Sequence, residues 1–406
     1  MMKSSWKALI WIATAELFAL SLWFGASVTA PELNDLWDAG ANLEAWLSAS
    51  VPIGFVLGAF ASSYFGLADR FNPRFIFAVS ALLGAAFNGL ILISDGALNG
   101  ITLRILTGVT LAGVYPTAVK LLSQWFPKRR GLAIGVLIAA LTLGSSLPHF
   151  IVLFFSALQW QWIILTSSFL SVVSSGIIYF ILKDAPVEKE NKPFSFSLIK
   201  KVRENRAVML ANYGYFGHMW ELYAMWTWLP VFLSASFQHN TGSASPALIA
   251  FCSFLTIGIA GAAGSVAGGW LADRIGRASL TILSMGISAL CALSIGFTFG
   301  QSFWVTISLA FIWGIFIISD SAQFSAAVTE FAESEYVGTA LTFQMCIGFL
   351  ITIVSINLIP YLQQILGWKW VFSVLAIGPL LGLVSMAKFK TWEKRLGSPE
   401  QISKQA

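Results

Sequence analysis

Long apolar runs recur in register along this chain, and their length and repetition leave few folds open. The segment Glu16-Leu17-Phe18-Ala19-Leu20-Ser21-Leu22-Trp23-Phe24 returns 205 residues later as Glu221-Leu222-Tyr223-Ala224-Met225-Trp226-Thr227-Trp228-Leu229. Glu, Leu, an aromatic ring, Ala and Trp fall in step. Three further pairs keep nearly the same offset: Leu67-Ala68-Asp69-Arg70 with Leu271-Ala272-Asp273-Arg274, Gly131-Leu132-Ala133 with Gly338-Thr339-Ala340, and Trp160-Gln161-Trp162 with Trp368-Lys369-Trp370. The order is colinear, so the chain reads as a direct repeat of a unit of roughly 200 residues.

Each unit is a membrane unit. Hydrophobic residues make up 57% of the chain and charged residues only 11%, which excludes an ordinary soluble domain. Twelve apolar stretches can be marked out: 7–30, 44–66, 74–94, 98–125, 131–155, 161–182, 208–236, 246–271, 278–299, 302–329, 336–359 and 369–388. Each has about the length needed to cross roughly 30 Å of hydrocarbon as a helix. Six plus six agrees with the repeat, and the expected fold class is an all-α membrane protein of two pseudo-symmetric six-helix bundles. Val28-Thr29-Ala30 resembles a small-residue cleavage site, but the first apolar stretch is too long for a signal peptide, contains Glu16 and has a twin in mid-chain. It is read as a retained first helix.

The net charge of +5 is no nucleic-acid signal, because the basic residues are segregated. The termini and every second connection carry 21 of the 24 Lys and Arg residues. By the positive-inside rule this places both termini in the cytoplasm and the chain in the cytoplasmic membrane as a multi-pass protein. The division expected is 1–182 for the first bundle, 183–207 for a polar cytoplasmic connection and 208–406 for the second bundle with its tail. Residues from Phe194 to Arg206 read as a short amphipathic helix on the membrane surface. Cys252, Cys291 and Cys346 all fall within apolar spans and are expected to be free thiols. No phosphate-cradling Gly-rich Lys loop and no His/Cys cluster at metal-ligand spacing occurs. The reading is therefore of a chain with no cofactor, no metal, no nucleic-acid partner and no enzymatic activity.

Twelve spans, a 6+6 repeat and an Asp-Arg turn after the second span of each half together resemble the major facilitator superfamily. The turn Gly269-Trp270-Leu271-Ala272-Asp273-Arg274-Ile275-Gly276-Arg277 fits that family's loop signature in full. The first copy departs from it, with Phe65 in place of Gly and Asn72-Pro73 in place of the later Gly. Arg104-Ile105-Leu106-Thr107-Gly108 is similar to the family's Arg-x-x-x-Gly element, and Trp125-Phe126-Pro127 resembles the loop of its organic-anion and oxyanion branches. Two patterns are missing. Stretches 44–66 and 246–271 lack the Arg that nitrate carriers place in the second and eighth spans, and Leu143 to His149 lacks the Gly-Pro run of drug antiporters.

The resemblance implies a central cavity lined by the first and seventh spans, with Glu16 and Glu221 facing each other across it. A carboxylate at mid-membrane costs roughly 3 kcal/mol on insertion scales, so it persists where it meets a cavity or a partner. A proton-coupling role is accordingly expected for Glu16 and Glu221, with His218 three residues before Glu221 on the same helix face and Arg104 as the basic group outside the inner half. Trp23 and Trp228, seven residues beyond each glutamate, would frame a substrate. Asp320 and Gln323 sit midway along the tenth span. Asp320 aligns in the repeat with Tyr115, so the halves diverge there, as an asymmetric substrate site requires. The substrate-binding set is then Trp23, Tyr115, Trp228, Asp320 and Gln323. Asp69, Arg70, Arg74 and Asp273, Arg274, Arg277 are assigned to gating, as loops that lock and release the two bundles at the cytoplasmic side.

The function this implies is a proton-coupled secondary transporter, acting as a monomer on a small organic solute by rocking of the two bundles, with uptake by symport. Proton-antiport efflux is the alternative, and a non-transporting membrane receptor on the same scaffold is a second. The topology has a direct check. A cysteine introduced at Asn191 is expected to react with an impermeant thiol reagent in inside-out vesicles and to stay unlabelled in intact cells; labelling from outside would overturn it.

Overall fold

The computed structural model describes residues 2–40, 42–126, 130–155, 159–184, 196–333 and 336–396. Every regular element among them is helical. In hydrocarbon no water can satisfy an N–H or C=O, and a helix closes those bonds within its own segment. Among the described residues, nine helical stretches are long and apolar enough to cross a membrane. One of them, Val337–Lys394, contains two spans: Gly367, with φ 67°, breaks the helix. Two further long helices, Met2–Leu20 and Arg206–Thr241, supply the first and seventh spans. These complete twelve. The outer surface is apolar, with Phe180, Ile93 and Leu98 each more than three-quarters exposed, as a lipid-facing surface requires.

The spans are less regular than their apolar runs. The first is helical over Met2–Leu20, turns through 21–24 and resumes over Gly25–Val28. The second is Leu43–Tyr64 and the third Pro73–Gly89, extended by a turn of tighter helix to Ile93. The fourth is split into Ala97–Leu111 and Tyr115–Trp125, and the tenth into Phe303–Ser319 and Ser321–Phe331. Tyr115 and Asp320, aligned in the repeat, thus both sit at a break. The fifth and sixth spans are Arg130–Phe155 and Gln161–Gly176, the latter continuing to Ile181. The eighth runs from Pro246 to Ile275 and the ninth over Arg277–Ser294. The eleventh and twelfth occupy 337–366 and 368–396. The seventh reaches beyond its expected limits because Asn205 caps its start, accepting from the Val208 N–H at 3.1 Å, and Gly242 ends it at φ 74°. Phe196–Glu204 is the amphipathic helix expected in the connection; Phe194 lies outside the described residues.

The two halves meet mainly through the fifth span against the eighth and the second against the eleventh. Small residues allow this approach: Gly135 packs on the Ser265 carbonyl, Gly258 on Ser146 and Gly261 on Thr142. At the end of the bundle that carries the termini, Ser63 and Thr342 hydroxyls join the second and eleventh spans at 2.8 Å. Within the first half, the second and fourth spans cross in backbone contact. Gly54 lies on the carbonyl of Ile105, and Gly108 on that of Val51. A methyl group at Gly54 would overlap that carbonyl, and backbone cannot move aside as a flexible side chain can. Gly54→Ala is expected to destabilise the purified protein by about 1–3 kcal/mol. Gly176→Ala, where no heavy atom lies within 4 Å of the added methyl, should be neutral; equal melting temperatures for the two variants would contradict this packing.

Candidate functional site

The break in the first span is held open by Arg104. Around the turn, the Ser21, Leu22 and Trp23 N–H groups bond three residues back, to Phe18, Ala19 and Leu20. The carbonyls that follow are left without helical partners. Arg104, fully buried on the fourth span, donates through Nη1 to the Leu22 carbonyl at 2.7 Å and through Nη2 to the Trp23 carbonyl. Asn88 Oδ1 lies 3.5 Å from Nη1. The planar fork of a guanidinium suits two adjacent carbonyls. Arg104 therefore does not sit at the outer interface or beside a carboxylate; it serves the backbone. The repeat explains why only one half breaks here. The residue equivalent to Arg104 is Leu309, and the equivalent stretch of the seventh span is continuous helix.

Glu16 lies about one turn before this break. It is fully buried, and neither carboxylate oxygen has a hydrogen-bond partner among the described residues. Tyr115, at the break in the fourth span, is near enough to interact with it electrostatically. Glu221 is placed differently. Its Oε2 accepts from Ser288 Oγ and its Oε1 from Trp313 Nε1, both at 2.8 Å. Those donors belong to the ninth and tenth spans, so Glu221 turns into its own half and does not face Glu16 across the interface. The sequence repeat preserves the residue but not its surroundings, because Ser288 and Trp313 lie in parts of the chain where the two copies share no motif.

His218 is matched with Asp320 and not with its helix neighbour Glu221. His218 Nδ1 stands 2.9 Å from Asp320 Oδ1, and both side chains are almost wholly buried. Nε2 of His218 has no partner among the described residues. The pair joins the seventh span to the break in the tenth. Gln323, one turn on, belongs elsewhere: it accepts from Arg277 Nη1 at 2.8 Å. Trp228 is likewise tied within its half, donating to the Ile356 carbonyl at 2.9 Å. Trp23 instead meets Tyr223, Phe349 and Phe55, with ring centroids 5.3, 5.7 and 5.8 Å away. These four rings, two from each half, plug the interface at mid-bundle. Tyr223 was legible in the repeated segment as the partner of Phe18; Phe55 and Phe349 carry no pattern that marks them.

The Asp-Arg turns tie spans within one half. Arg74 donates to the Ile178 and Tyr179 carbonyls at 3.2 and 2.7 Å and pairs with Asp184 at 3.0 Å. The hydrogen bond from Asn72, with Arg74 beside it, holds the Asp184 carboxyl below its ordinary range. In the second half Arg277 grips Glu330 through Nε and Nη2 at 2.5–3.0 Å. The backbone N–H groups of Arg277 and Ala278 cap onto Glu393 of the twelfth span, a carboxylate at a helix N-terminus. Arg274 stacks over the Trp270 ring at 3.7 Å, while Arg70 and Asp273 are exposed. The side chain of Asp69 lies outside the described residues. The locking of one half to the other expected of these turns is thus not what their described contacts do. At that end the halves are joined by the Ser63–Thr342 hydrogen bond and close helix packing. All three cysteines are free.

The architecture and these motifs place the chain in a known class of membrane protein. The model of the Major Facilitator Superfamily matches residues 12–355 and again 243–406, and the chain belongs to that superfamily. Its fold is the family's twelve-span arrangement of two six-helix bundles. It superposes with a TM-score of 0.76 on the proton:xylose symporter XylE bound to 6-bromo-6-deoxy-D-glucose, covering 96% of each chain at 14% identity. That likeness is one of fold. Among curated proteins, the chain is 27% identical over 280 residues to the uncharacterized transporter YybO of Bacillus subtilis, covering 61% of this chain and 60% of YybO. It is 24% identical over 248 residues to the probable sulfoacetate transporter SauU of Cupriavidus necator, covering 55% and 56%. The chain thus spans less than two thirds of the length of these relatives.

The Arg104 clamp can be tested apart from any activity. Arg104→Met leaves two buried carbonyls without a donor, at about 1–3 kcal/mol for each, and is expected to lower the melting temperature of the purified protein sharply. Arg104→Lys should rescue it only in part, since one ammonium cannot reproduce the fork. Wild-type stability in both variants would remove the clamp.

Proposed function

We infer that this chain carries a small organic solute across the cytoplasmic membrane by alternating access, driven by protons, with uptake by symport. The observation that carries the reading is Glu16. An ionised carboxylate without a partner is not tolerated in a dry interior, so occupancy of that position is tied to a proton. A second buried polar pair, His218 with Asp320, lies in the other half. Glu16 neighbours the break in the first span and Asp320 forms the break in the tenth. Protonation at either point acts on backbone that has already left the helix. Glu221 and Arg104, whose partners are complete or structural, serve as anchors in this scheme.

Several features support movement of solute by this scaffold. Close packing joins the halves at the terminal end, and a cavity opens at the opposite end above the aromatic plug. By the distribution of Lys and Arg, the terminal end is cytoplasmic and the cavity faces outward. The relatives include a probable carrier of sulfoacetate, a small polar organic molecule. Trp23, Tyr115, Tyr223 and Phe349 present aromatic surface to a substrate at mid-depth, between the proton groups of the two halves.

Reconstituted protein, screened against a panel of radiolabelled small acids, amines and sugars, should accumulate its substrate when the pH is lower outside the vesicle. Glu16→Gln is expected to abolish this accumulation while leaving exchange of substrate partly intact. Glu221→Leu, which strands the Trp313 and Ser288 donors, should lower thermal stability and not the pH response of the surviving protein. Wild-type pH-driven accumulation by Glu16→Gln would remove the carboxylate from coupling.

A further inference from the structure

We propose that the far-end cavity is a recognition site for an organic cation with an apolar or aromatic body, set apart from the mid-membrane position of Glu16 and Asp320. The cavity encloses about 460 Å³, within the range of small-molecule sites. Its wall comes from both halves, with residues of the first, second, fifth, sixth, seventh and eighth spans. None of Trp23, Tyr115, Trp228, Asp320 and Gln323 lines it.

Three hydroxyls carry the inference. Elsewhere in this bundle buried hydroxyls close on the carbonyl four residues back, as Thr107 does on Leu103, Thr142 on Ile138, Thr256 on Cys252 and Ser319 on Ile315. Such back-bonding is the usual fate of Ser and Thr in a helix. Six buried hydroxyls in the described residues lack any hydrogen-bond partner: Ser27, Ser48, Ser145, Ser167, Thr227 and Ser284. Ser27, Ser48 and Thr227 line this one cavity. They are 7%, 2% and 5% exposed and come from the first, second and seventh spans. A buried polar atom without a partner is costly, and three meeting at one cavity point to a ligand that supplies the hydrogen bonds.

The charge of the wall selects the ligand. Glu44 and Glu32 line the cavity, together with His149, and no Lys or Arg among the described residues does. The carboxylates and hydroxyl oxygens together offer an acceptor set for the N–H groups of an ammonium, and they disfavour an anion. Phe24, Trp160 and Trp226 are the aromatic part of the wall, giving apolar surface and ring faces that attract a cation. A positively charged ring compound satisfies all three features at once.

The site rests on the transport reading for its orientation and purpose, but its binding can be measured without transport. Full-length protein in nanodiscs at pH 7 is titrated with benzylammonium, benzamide and benzoate, which share a ring and differ in charge, by calorimetry and saturation-transfer NMR. Benzylammonium should bind at least tenfold tighter than the other two. Glu44→Gln should weaken it at least tenfold, and Ser48→Ala and Thr227→Val severalfold each. Binding of benzoate as tight as benzylammonium, binding of none of the three, or full affinity retained in the folded variants would overturn the proposal. Benzylammonium binding without any pH-driven transport would sink the transport reading alone. PH-driven transport by a protein with no such cation preference would sink this site alone.

Discussion

A helix broken inside hydrocarbon must have its freed backbone groups bonded by something other than water, and the candidate site of this protein gathers where that demand is met. The turn at 21–24 exists because Arg104 takes the carbonyls of Leu22 and Trp23. At the break before Tyr115, Pro116 has no N–H to continue the helical ladder, and the Thr117 hydroxyl donates to the carbonyls of Gly113 and Val114. Non-helical backbone at membrane depth is tolerated only where protein encloses it or a cavity adjoins it. Glu16, Tyr115 and Asp320 therefore collect at the few places where the chain can bend.

The two halves share a plan and differ in its use. In the first half a guanidinium holds the break in the first span, and Glu16 has no hydrogen-bond partner among the described residues. In the second half Leu309 replaces that guanidinium, the seventh span runs on, and Glu221 receives two donors from Ser288 and Trp313. In the second half the buried histidine is matched with a different carboxylate, His218 Nδ1 standing 2.9 Å from Asp320 Oδ1. Duplicated carboxylates can thus part ways: one is buried with no partner for either oxygen among the described residues, and the other is a buried anchor whose removal would strand its donors. The Asp-Arg turns have also taken local duties, Arg74 at the end of the sixth span and Arg277 across the ninth, tenth and twelfth.

Much of the fold was legible in the chain, because apolar length and repetition are local properties. Twelve spans, the 6+6 plan, the helix within the central connection and the free thiols all follow from runs of residues. The break at 21–24 was not legible, since it depends on a donor, Arg104, whose position is known only after packing. The site was legible in its residue types and partly in its members. Glu16, His218, Asp320, Tyr115 and Trp23 were marked by charge, ring or repeat, whereas Phe55, Phe349, Ser288 and the hydroxyls of Ser27, Ser48 and Thr227 are ordinary residues of apolar helices.

The sequence by itself determined that this chain spans a membrane, that it does so as two related bundles, and that carboxylates recur at matched depth. Those conclusions rest on hydrocarbon thickness and helical rise, which do not depend on neighbours. Only the tertiary structure decided which carboxylate receives donors among the described residues, which histidine meets which aspartate, and that the guanidinium of Arg104 binds backbone. Partner choice among buried polar groups is a matter of a few ångströms between spans far apart in sequence, and nothing in the order of residues records that distance.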